Sequence, residues 1–304
     1  MLKLIFSYLI FPGFIFSAAV GLMAGWLDRK VTARLQWRVG PPWHQNFTDI
    51  LKLLGKEVIV PQGASRTFLF APYLGLAAAV LAATDLGRSM IFPSGSFGGD
   101  LIVIFYLLAI PAVASIIGGS SSRNPLASVG VSREIKLLLG YELPLILAMA
   151  AVVIKSGGQL QIGQIIQRQA LFGSNLFSFS GALAFAAVIF CMQGKLGMGL
   201  FDVAEADQEI MSGTLIEYSG LPLAIFKLTK AIMLYAVPLF VIILFLGRDL
   251  SPLLLAAKYA MLLAVMILIK NTNPRLRIDQ VLRFFWGFPA GIAALAVILA
   301  MFGL

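Results

Sequence analysis

The sequence predicts an all-α integral membrane protein with about eight transmembrane helices. Hydrophobic residues make up 60% of its 304 residues, whereas charged residues make up only 12%, about half their share in soluble domains. One soluble core could not hide so much apolar surface, because more than half of the accessible surface of a folded protein still faces water. The composition therefore excludes a soluble enzyme and a nucleic-acid-binding domain. The net charge of +9 indicates cationic inner loops rather than a nucleic-acid partner.

Eight stretches are apolar and long enough to cross a bilayer, which takes about 20 residues. In chain order they are Leu4–Trp26, Thr67–Leu86, Leu101–Gly118, Leu137–Ile154, Leu176–Met192, Leu223–Leu246, Pro252–Lys270 and Phe284–Phe302. The fifth stretch is the shortest. No internal repeat of the kind found in many secondary transporters is evident. We expect one polytopic membrane domain over residues 1–304.

The distribution of Lys and Arg predicts the orientation of these spans. With both termini outside, seventeen of the 23 Lys and Arg residues fall on the inner side and six on the outer side. This bias is typical of cytoplasmic loops. The inner loops are then residues 28–66, 119–136, 194–222 and 270–283.

The first inner loop is rich in cations. Three of them recur at every fourth position from Lys30 to Arg38, which predicts one cationic helix face that a Gly-Pro-Pro sequence ends. A second, amphipathic helix is predicted to start with Asn46 or Thr48 as its N-cap. Two interpretations stay open: cations at lipid headgroups, or a docking platform for a cytoplasmic partner. The candidate docking residues are Arg29, Lys30, Arg34, Arg38, Lys52, Lys56 and Arg133.

The third inner loop is acidic. Asp202, Glu205 and Glu209 are spaced at i, i+3 and i+7, which predicts an acidic helix face, and Gly213 is the expected helix end. Clustered carboxylates repel one another, and this property suits a proton relay or an electrostatic switch. A solvated acidic face is the alternative interpretation.

Charged residues also lie within the spans. Glu142 is surrounded by leucines in the fourth span, where a carboxylate is costly unless it is protonated, paired or hydrated. Its presence there therefore favours a functional role. Lys227 and Lys230 share one face of the sixth span, where they pair with acids or extend to the membrane surface. The candidate proton-path residues are Glu134, Glu142, Asp202, Glu205, Asp207, Glu209, Glu217, Lys227 and Lys230.

The chain lacks the residues for a redox centre of its own. It has one cysteine, Cys191, and one histidine, His44, which cannot by themselves hold an iron–sulfur cluster or a structural zinc ion. His44 is more typical of a loop or headgroup contact. We expect no cofactor and no catalytic centre in this chain.

Three long segments, in order, resemble one known family. They are Asp28–Pro41 (DRKVTARLQWRVGP), Gly119–Leu145 with its Ser-rich turn, Arg133 and Tyr-Glu pair, and Phe201–Gly220 (FDVAEADQEIMSGTLIEYSG). They resemble the eight-helix subunit that joins the hydrophilic and membrane arms of respiratory complex I and of energy-converting group 4 nickel–iron hydrogenases. The resemblance covers most of the chain.

Departures from the complex I pattern resemble the hydrogenase branch. Leu200 and Ala204 stand where complex I usually has proline, and Asp207 where it has glutamate. Lys227 and Lys230 occupy the stretch where quinone-linked subunits carry an acid.

The resemblance implies a membrane anchor and coupling subunit in a prokaryotic cell membrane. Its expected partners are iron–sulfur and nickel–iron subunits on the cytoplasmic side, which carry the metal centres, together with antiporter-like membrane subunits and lipid. Two alternatives stay open: the quinone-site subunit of a complex I-type oxidoreductase, and an independent proton-coupled secondary transporter that uses Glu142.

Overall fold

The computed structural model describes residues 2–303, apart from the side chains of residues 2–4 and 207. This part of the chain contains α-helices and short 3₁₀ turns but no β-strand. The helices are α1 (Leu2–Leu9), α2 (Phe14–Leu35), α3 (Gln45–Leu54), α4 (Arg66–Ile91), α5 (Asp100–Ser121), α6 (Pro125–Lys155), α7 (Ile162–Phe172), α8 (Phe179–Lys195), α9 (Asp207–Ile210), α10 (Gly220–Phe245), α11 (Pro252–Thr272) and α12 (Ile278–Met301).

The structure confirms the all-α membrane fold class. Within the described residues, seven helical segments are long and apolar enough to cross a membrane, with α1 and α2 together forming the first. The one remaining prediction, the fifth span, corresponds to α8, an apolar helix of 17 residues at the short end of the transmembrane range. With α8 counted as an eighth crossing, the chain begins and ends on the same side of the membrane.

The helices continue well beyond the predicted spans at the side predicted to be the inner one, and the predicted names of the two sides are kept below. Helix α6 starts at Pro125 rather than near Leu137, so Arg133 and Glu134 lie on a continuous helix that enters the membrane. Its first residue is a proline and Asn124 caps it by accepting from the Leu126 amide at 2.8 Å. These features favour a helix start at this point.

The first inner loop differs from its prediction. Helix α2 ends at Leu35, and Trp37 has a positive φ, so Arg38 lies past the helix and does not share a face with Lys30. The Lys30 amine instead donates to the Val39 carbonyl at 2.9 Å, folding the chain back over the helix end. Helix α3 is amphipathic as expected but begins at Gln45, before the predicted caps.

Helix α10 lies at the centre of the bundle. Almost every residue of its outer half is buried, and it packs against α2, α4 and several other helices. Its approach to α2 requires a glycine: a Cβ built on Gly21 would lie 2.0 Å from the Ala231 carbonyl oxygen. Close backbone contact of this kind is typical of helix pairs in membranes.

A helix on the outer side was not foreseen. Residues 156–175 read as a polar, glycine-containing loop, yet they contain α7, whose Ile162, Ile165 and Ile166 are buried. The carboxylate of Asp100 accepts from the Ile162 amide at 2.8 Å and so caps this helix. The Gln169 side chain donates to the Ile243 carbonyl at 2.8 Å, which fixes α7 to the end of α10.

Candidate functional site

The acidic segment at the inner side is not the continuous helix that its spacing predicts. A 3₁₀ turn at Gly199–Phe201 and irregular turns precede a single helical turn, α9, which ends before three consecutive residues of positive φ, Met211 to Gly213. The predicted acidic stripe is therefore wrong. The apolar residues between the acids are nevertheless buried, as Val203, Ala206 and Ile210 show.

The acidic segment is not a regular helix because its carboxylates bind cations on different parts of the bundle. Asp202 pairs with Arg275 at 3.0 Å, just before α12. Glu205 pairs with Lys230 on α10. A regular helix would point these side chains in one direction, whereas the observed turns direct each one to its own partner.

The third carboxylate binds α6. Glu209 accepts from Arg133 at 2.6 Å, and the same guanidinium donates to the Val203 carbonyl at 3.3 Å. The hydrogen bond from Arg133 holds the pKa of Glu209 below its usual range. This contribution to loop docking is therefore complete at neutral pH and is lost only as the pH falls through the lowered pKa.

Glu217 and Tyr218 attach the end of the acidic segment. Glu217 accepts from the Asn124 amide at 2.5 Å, beside the start of α6. The Tyr218 hydroxyl donates to the Phe68 carbonyl at 2.9 Å, and its ring stacks on that of Phe68 with centroids 4.1 Å apart. Burial raises the pKa of Tyr218. The side chain of Asp207 lies outside those that the structure describes.

An inner cavity of about 90 Å³ lies beneath the acidic segment. Five ionisable side chains line it, together with apolar groups of α5 and α10. These ionisable residues are Glu134, Lys195, Asp202, Glu205 and Lys230. Glu134 interacts electrostatically with Lys230, Glu205 and Asp202. The cavity therefore brings together Glu134 from α6, Lys230 from α10 and two carboxylates of the acidic segment.

Lys195 is a cavity residue that the sequence analysis missed. Its Nζ atom is buried and has no hydrogen-bond partner among the described residues. It lies 5.0 Å from the ring centre of Tyr141 and 5.5 Å from that of Phe105. In the sequence Lys195 is a single cation at the end of an apolar stretch, which is indistinguishable from a lysine that extends to the membrane surface.

Glu142 does not line the inner cavity. It lies on the α6 face that also carries the exposed residues Leu139 and Ile146, toward the outside of the bundle. Glu142 interacts electrostatically with Lys195, which does line the cavity. Lys195 therefore stands between the cavity charges and the carboxylate at the bundle surface.

A second, more open cavity of about 360 Å³ lies between α2, α3 and α10, and we call it the side cavity. Its charged lining residues are Asp28, Arg29, Asp49, Lys227 and Lys230. Lys230 and Leu196 line both cavities, so the two spaces meet at these side chains. Lys227 faces the side cavity only, one helical turn away from Lys230.

The predicted docking cations divide into two groups. Arg29 pairs with Asp49 at 3.4 Å, and Lys30 and Arg133 bind within the chain as described above. The others are exposed and form no ion pair with a described carboxylate. They are Arg34, Arg38, Lys52 and Lys56. Trp37 and Val39 lie among them, with 99% and 74% of their surfaces exposed.

Comparison with known proteins assigns the family. Residues 7–301 match the family model described as NADH dehydrogenase. This chain belongs to the NADH dehydrogenase family. A subunit of the NADH-quinone oxidoreductase of Thermomicrobium roseum is 34% identical and aligns over 93% of this chain and 92% of its own length. The corresponding protein of Geobacillus sp. is 30% identical over 94% of this chain and 87% of its own length.

A solved relative covers the same length as this chain. A chain in the structure of the membrane-bound sulfane sulfur reductase, an archaeal respiratory membrane complex, is 30% identical with a TM-score of 0.88. The match covers 99% of this chain and 100% of that one. The resemblance predicted from the sequence is thus confirmed at the level of the family, and this member is a multi-pass prokaryotic membrane protein of the complex I type.

The acidic segment packs closely against α6 at Gly130, and a substitution of this glycine tests whether the packing holds the segment in place. A Cβ on Gly130 would lie 2.7 Å from the Thr214 amide nitrogen and 2.9 Å from Gly213. We expect Gly130→Ala to destabilise the docked segment by about 1–3 kcal/mol. Limited proteolysis of residues 199–219 in the purified complex measures this effect.

Gly287→Ala is the matched control, since Gly287 is also helical and a Cβ there meets nothing within 4 Å. This control is expected to leave proteolysis of residues 199–219 unchanged. Equal protection of the segment in wild type and Gly130→Ala would contradict the packing argument.

Proposed function

We propose that this chain is the membrane anchor and coupling subunit of an energy-converting complex of the hydrogenase type. The observation that carries the proposal is the pair of cations Lys227 and Lys230, in the stretch where quinone-linked subunits carry an acid. The end-to-end match with the subunit of an archaeal respiratory complex, which covers 100% of that chain, supports it. The quinone oxidoreductase subunits are covered over 92% and 87% of their lengths. In this proposal the chain links electron transfer in its partners to movement of an ion across the membrane.

The charged lining of the side cavity supports a complex that needs no quinone. Asp28, Asp49 and Lys227 line the space between α2, α3 and α10, which opens toward the bundle surface. Asp28 pairs with Lys270 at 2.7 Å, while its second carboxylate oxygen is buried with no hydrogen-bond partner among the described residues. An apolar quinone tail in this space would remove water from these charges without replacing it, which is unfavourable.

The two connected cavities keep the quinone-site function as a second candidate. In that case the side cavity would admit the quinone and the inner cavity would receive its head group. Photo-crosslinking with a quinone analogue separates the two functions. Adducts within residues 21–50, 108–115, 195–205 or 226–234, which line the two cavities, would favour the quinone site, and their absence favours the hydrogenase type.

The ionisable residues of the inner cavity are the proposed coupling path. Lys230 pairs with Glu205, and both of them interact electrostatically with Glu134. Groups that interact in this way exchange protons as a set rather than singly. In this proposal a change of charge at the acidic segment reaches Glu134 and, across the cavity that both residues line, Lys195, which interacts with Glu142.

Glu142 gives this path an exit at the bundle surface. The face of α6 that carries it is exposed in the described chain. An unpaired carboxylate is costly beside lipid, and contact with an antiporter-like membrane subunit would remove that cost. The proposed path thus runs from the cytoplasmic docking side to a neighbouring membrane subunit.

The exposed residues of the first inner loop are the proposed docking surface for the cytoplasmic partners. Tryptophan and arginine are enriched in protein interfaces, and Trp37 lies beside Arg34 and Arg38. The partners would hold the iron–sulfur clusters and the nickel–iron centre. This chain would supply the surface that positions them above the acidic segment.

Purification through a tag on this chain in a mild detergent, with mass spectrometry of the co-eluting proteins, tests the proposal. We expect a nickel–iron large subunit that retains its four metal-binding cysteines, a small cluster-bearing subunit and antiporter-like proteins. The absence of such a large subunit would contradict the hydrogenase type. NADH-linked partners would indicate complex I, and a stable chain alone that moves protons in liposomes would indicate a secondary transporter.

A further inference from the structure

The outer side of the chain carries a third cavity, with a volume of about 710 Å³. We call it the outer cavity. It lies where α6 and α12 end and α8 begins, with α7 along one side. Its volume is within the range of small-molecule sites. Neither the proposed coupling path nor the docking surface includes any of its residues.

Three cations line the outer cavity, and no acid does. Lys155, Arg168 and Arg248 come from three separate parts of the chain. They are half of the six Lys and Arg residues on the outer side, where cations are scarce. None of the three forms an ion pair with a carboxylate among the described residues. Like charges repel when they are brought together in this way, so the site is complementary to an anion.

Local packing holds Arg168 in place. A Cβ on Gly157 would lie 2.5 Å from a guanidinium nitrogen of Arg168, so the guanidinium rests on the backbone there. Its central carbon is also 5.5 Å from the centre of the Phe172 ring. The buried isoleucines of α7 fix the helix that carries Arg168. The cation is therefore positioned by the fold and is not a freely moving surface arginine.

The rim of the cavity is apolar. Phe172 and Phe177 are 81% and 83% exposed, and Leu171 and Phe179 beside them are also exposed. These residues lie between the end of α7 and the start of α8. Aromatic side chains at the outer end of a membrane-spanning helix such as α8 contact the headgroup region of a bilayer. An anion with an apolar part next to its charge would therefore contact both the cations and the rim.

We propose that the outer cavity binds the headgroup of an anionic phospholipid from the outer leaflet. Its phosphate would lie among Lys155, Arg168 and Arg248, and its acyl chains would lie along the exposed phenylalanines. Ser174 and Asn175, which also line the cavity, offer polar groups for the remainder of the headgroup. A free phosphate has no acyl chains and would make no apolar contact with the rim, so a lipid is favoured over free phosphate.

Native mass spectrometry of the tagged, intact complex measures this binding. The complex is titrated in detergent with phosphatidylglycerol and, separately, with phosphatidylcholine and inorganic phosphate. We expect preferential retention of phosphatidylglycerol. Arg168→Gln and Arg248→Gln should each weaken it about fivefold, whereas Arg168→Lys should bind within about twofold of wild type. Arg88→Gln is the control, because Arg88 is an outer-side cation that binds Tyr8 and does not line the cavity.

A measurement on the wild-type complex keeps the proposal testable if a variant fails to assemble. Phosphatidylglycerol with a photoreactive diazirine beside its headgroup should form adducts within residues 154–178 or at 248. Equal retention of the two lipids would overturn the proposal, as would equal loss in Arg88→Gln. Adducts confined to other regions, or crosslinks that place an acidic segment of a neighbouring subunit in the cavity, would overturn it too.

Discussion

A Glu142→Gln variant of the intact complex is expected to retain electron transfer and to lose most of its ion translocation. Glutamine has nearly the same shape as glutamate but cannot release a proton or carry a negative charge. Glu142 is the proposed exit of the path that starts at the inner cavity. Coupling between two sites is typically worth about 1–3 kcal/mol. Its removal corresponds to a decrease of about 5–150-fold in the number of ions moved for each electron transferred.

The measurement is the ratio of ions moved to electrons transferred, in proteoliposomes that contain the purified complex. Glu57→Gln provides the matched control, since Glu57 is an exposed acid of the inner side that lines none of the cavities described above. We expect this control to retain the wild-type ratio. Failure of Glu142→Gln to assemble with its partners would instead assign Glu142 a structural role, and a wild-type ratio would remove it from the path.

The position of Lys195 makes this prediction more specific. Its amine is the charge that connects Glu142 to the inner cavity, so Lys195→Met should lower the same ratio. If both residues act on one path, the double variant should lose little more than either single variant. Independent residues would give effects that add in free energy. The double variant therefore distinguishes one path from two unrelated defects.

The spans were predictable because the hydrophobic effect acts on composition over about 20 residues. Helix ends were not, because α2 and α6 continue outside the membrane, where hydropathy no longer indicates them. Helix α7 was missed for a related reason: its 11 residues are too short for a span and are flanked by glycines and polar residues. Tertiary contacts, such as the capping of α7 by Asp100, decide these segments.

The residue types of the candidate site were also predictable, but their grouping was not. Glu134 and Lys230 stood out as charges beside or within apolar stretches, and Glu205 stood out as one of a cluster of acids in a loop. The three do meet in the inner cavity. Helical periodicity nevertheless failed for Glu205, because its ion pair with a residue 25 positions away overrides the local pattern. Lys195 gave no signal, since only the structure shows that its amine lies inside the bundle.

The ion pair between Glu205 and Lys230 leads to the second prediction. Lys230→Met should destabilise the complex by about 1–3 kcal/mol. Loss of this cation leaves three carboxylates, those of Glu134, Asp202 and Glu205, without the Lys230 charge that they share. The cost stays below that of a fully buried pair because 52% of the Lys230 side chain is accessible to water in the cavities.

Lys227→Met is the matched control for this experiment. It removes the same charge from the same helix, one turn away, but Lys227 lines only the side cavity and forms no ion pair with a described carboxylate. The temperature at which half of the complex stays monodisperse after heating measures the difference. We expect a clear decrease for Lys230→Met and little change for Lys227→Met.

Exchange of the two charges then distinguishes the effect of the ion pair on stability from the effect of side-chain packing. The double variant Lys230→Glu with Glu205→Lys restores one cation and one acid at the contact. However, it places the new glutamate where Glu134 and Asp202 interact with the Lys230 cation. We therefore expect only partial recovery of stability, since repulsion from these two carboxylates replaces their attraction to the cation. Full recovery would show that Glu205 alone matters to Lys230, and no recovery would show that the whole carboxylate cluster requires the cation on α10.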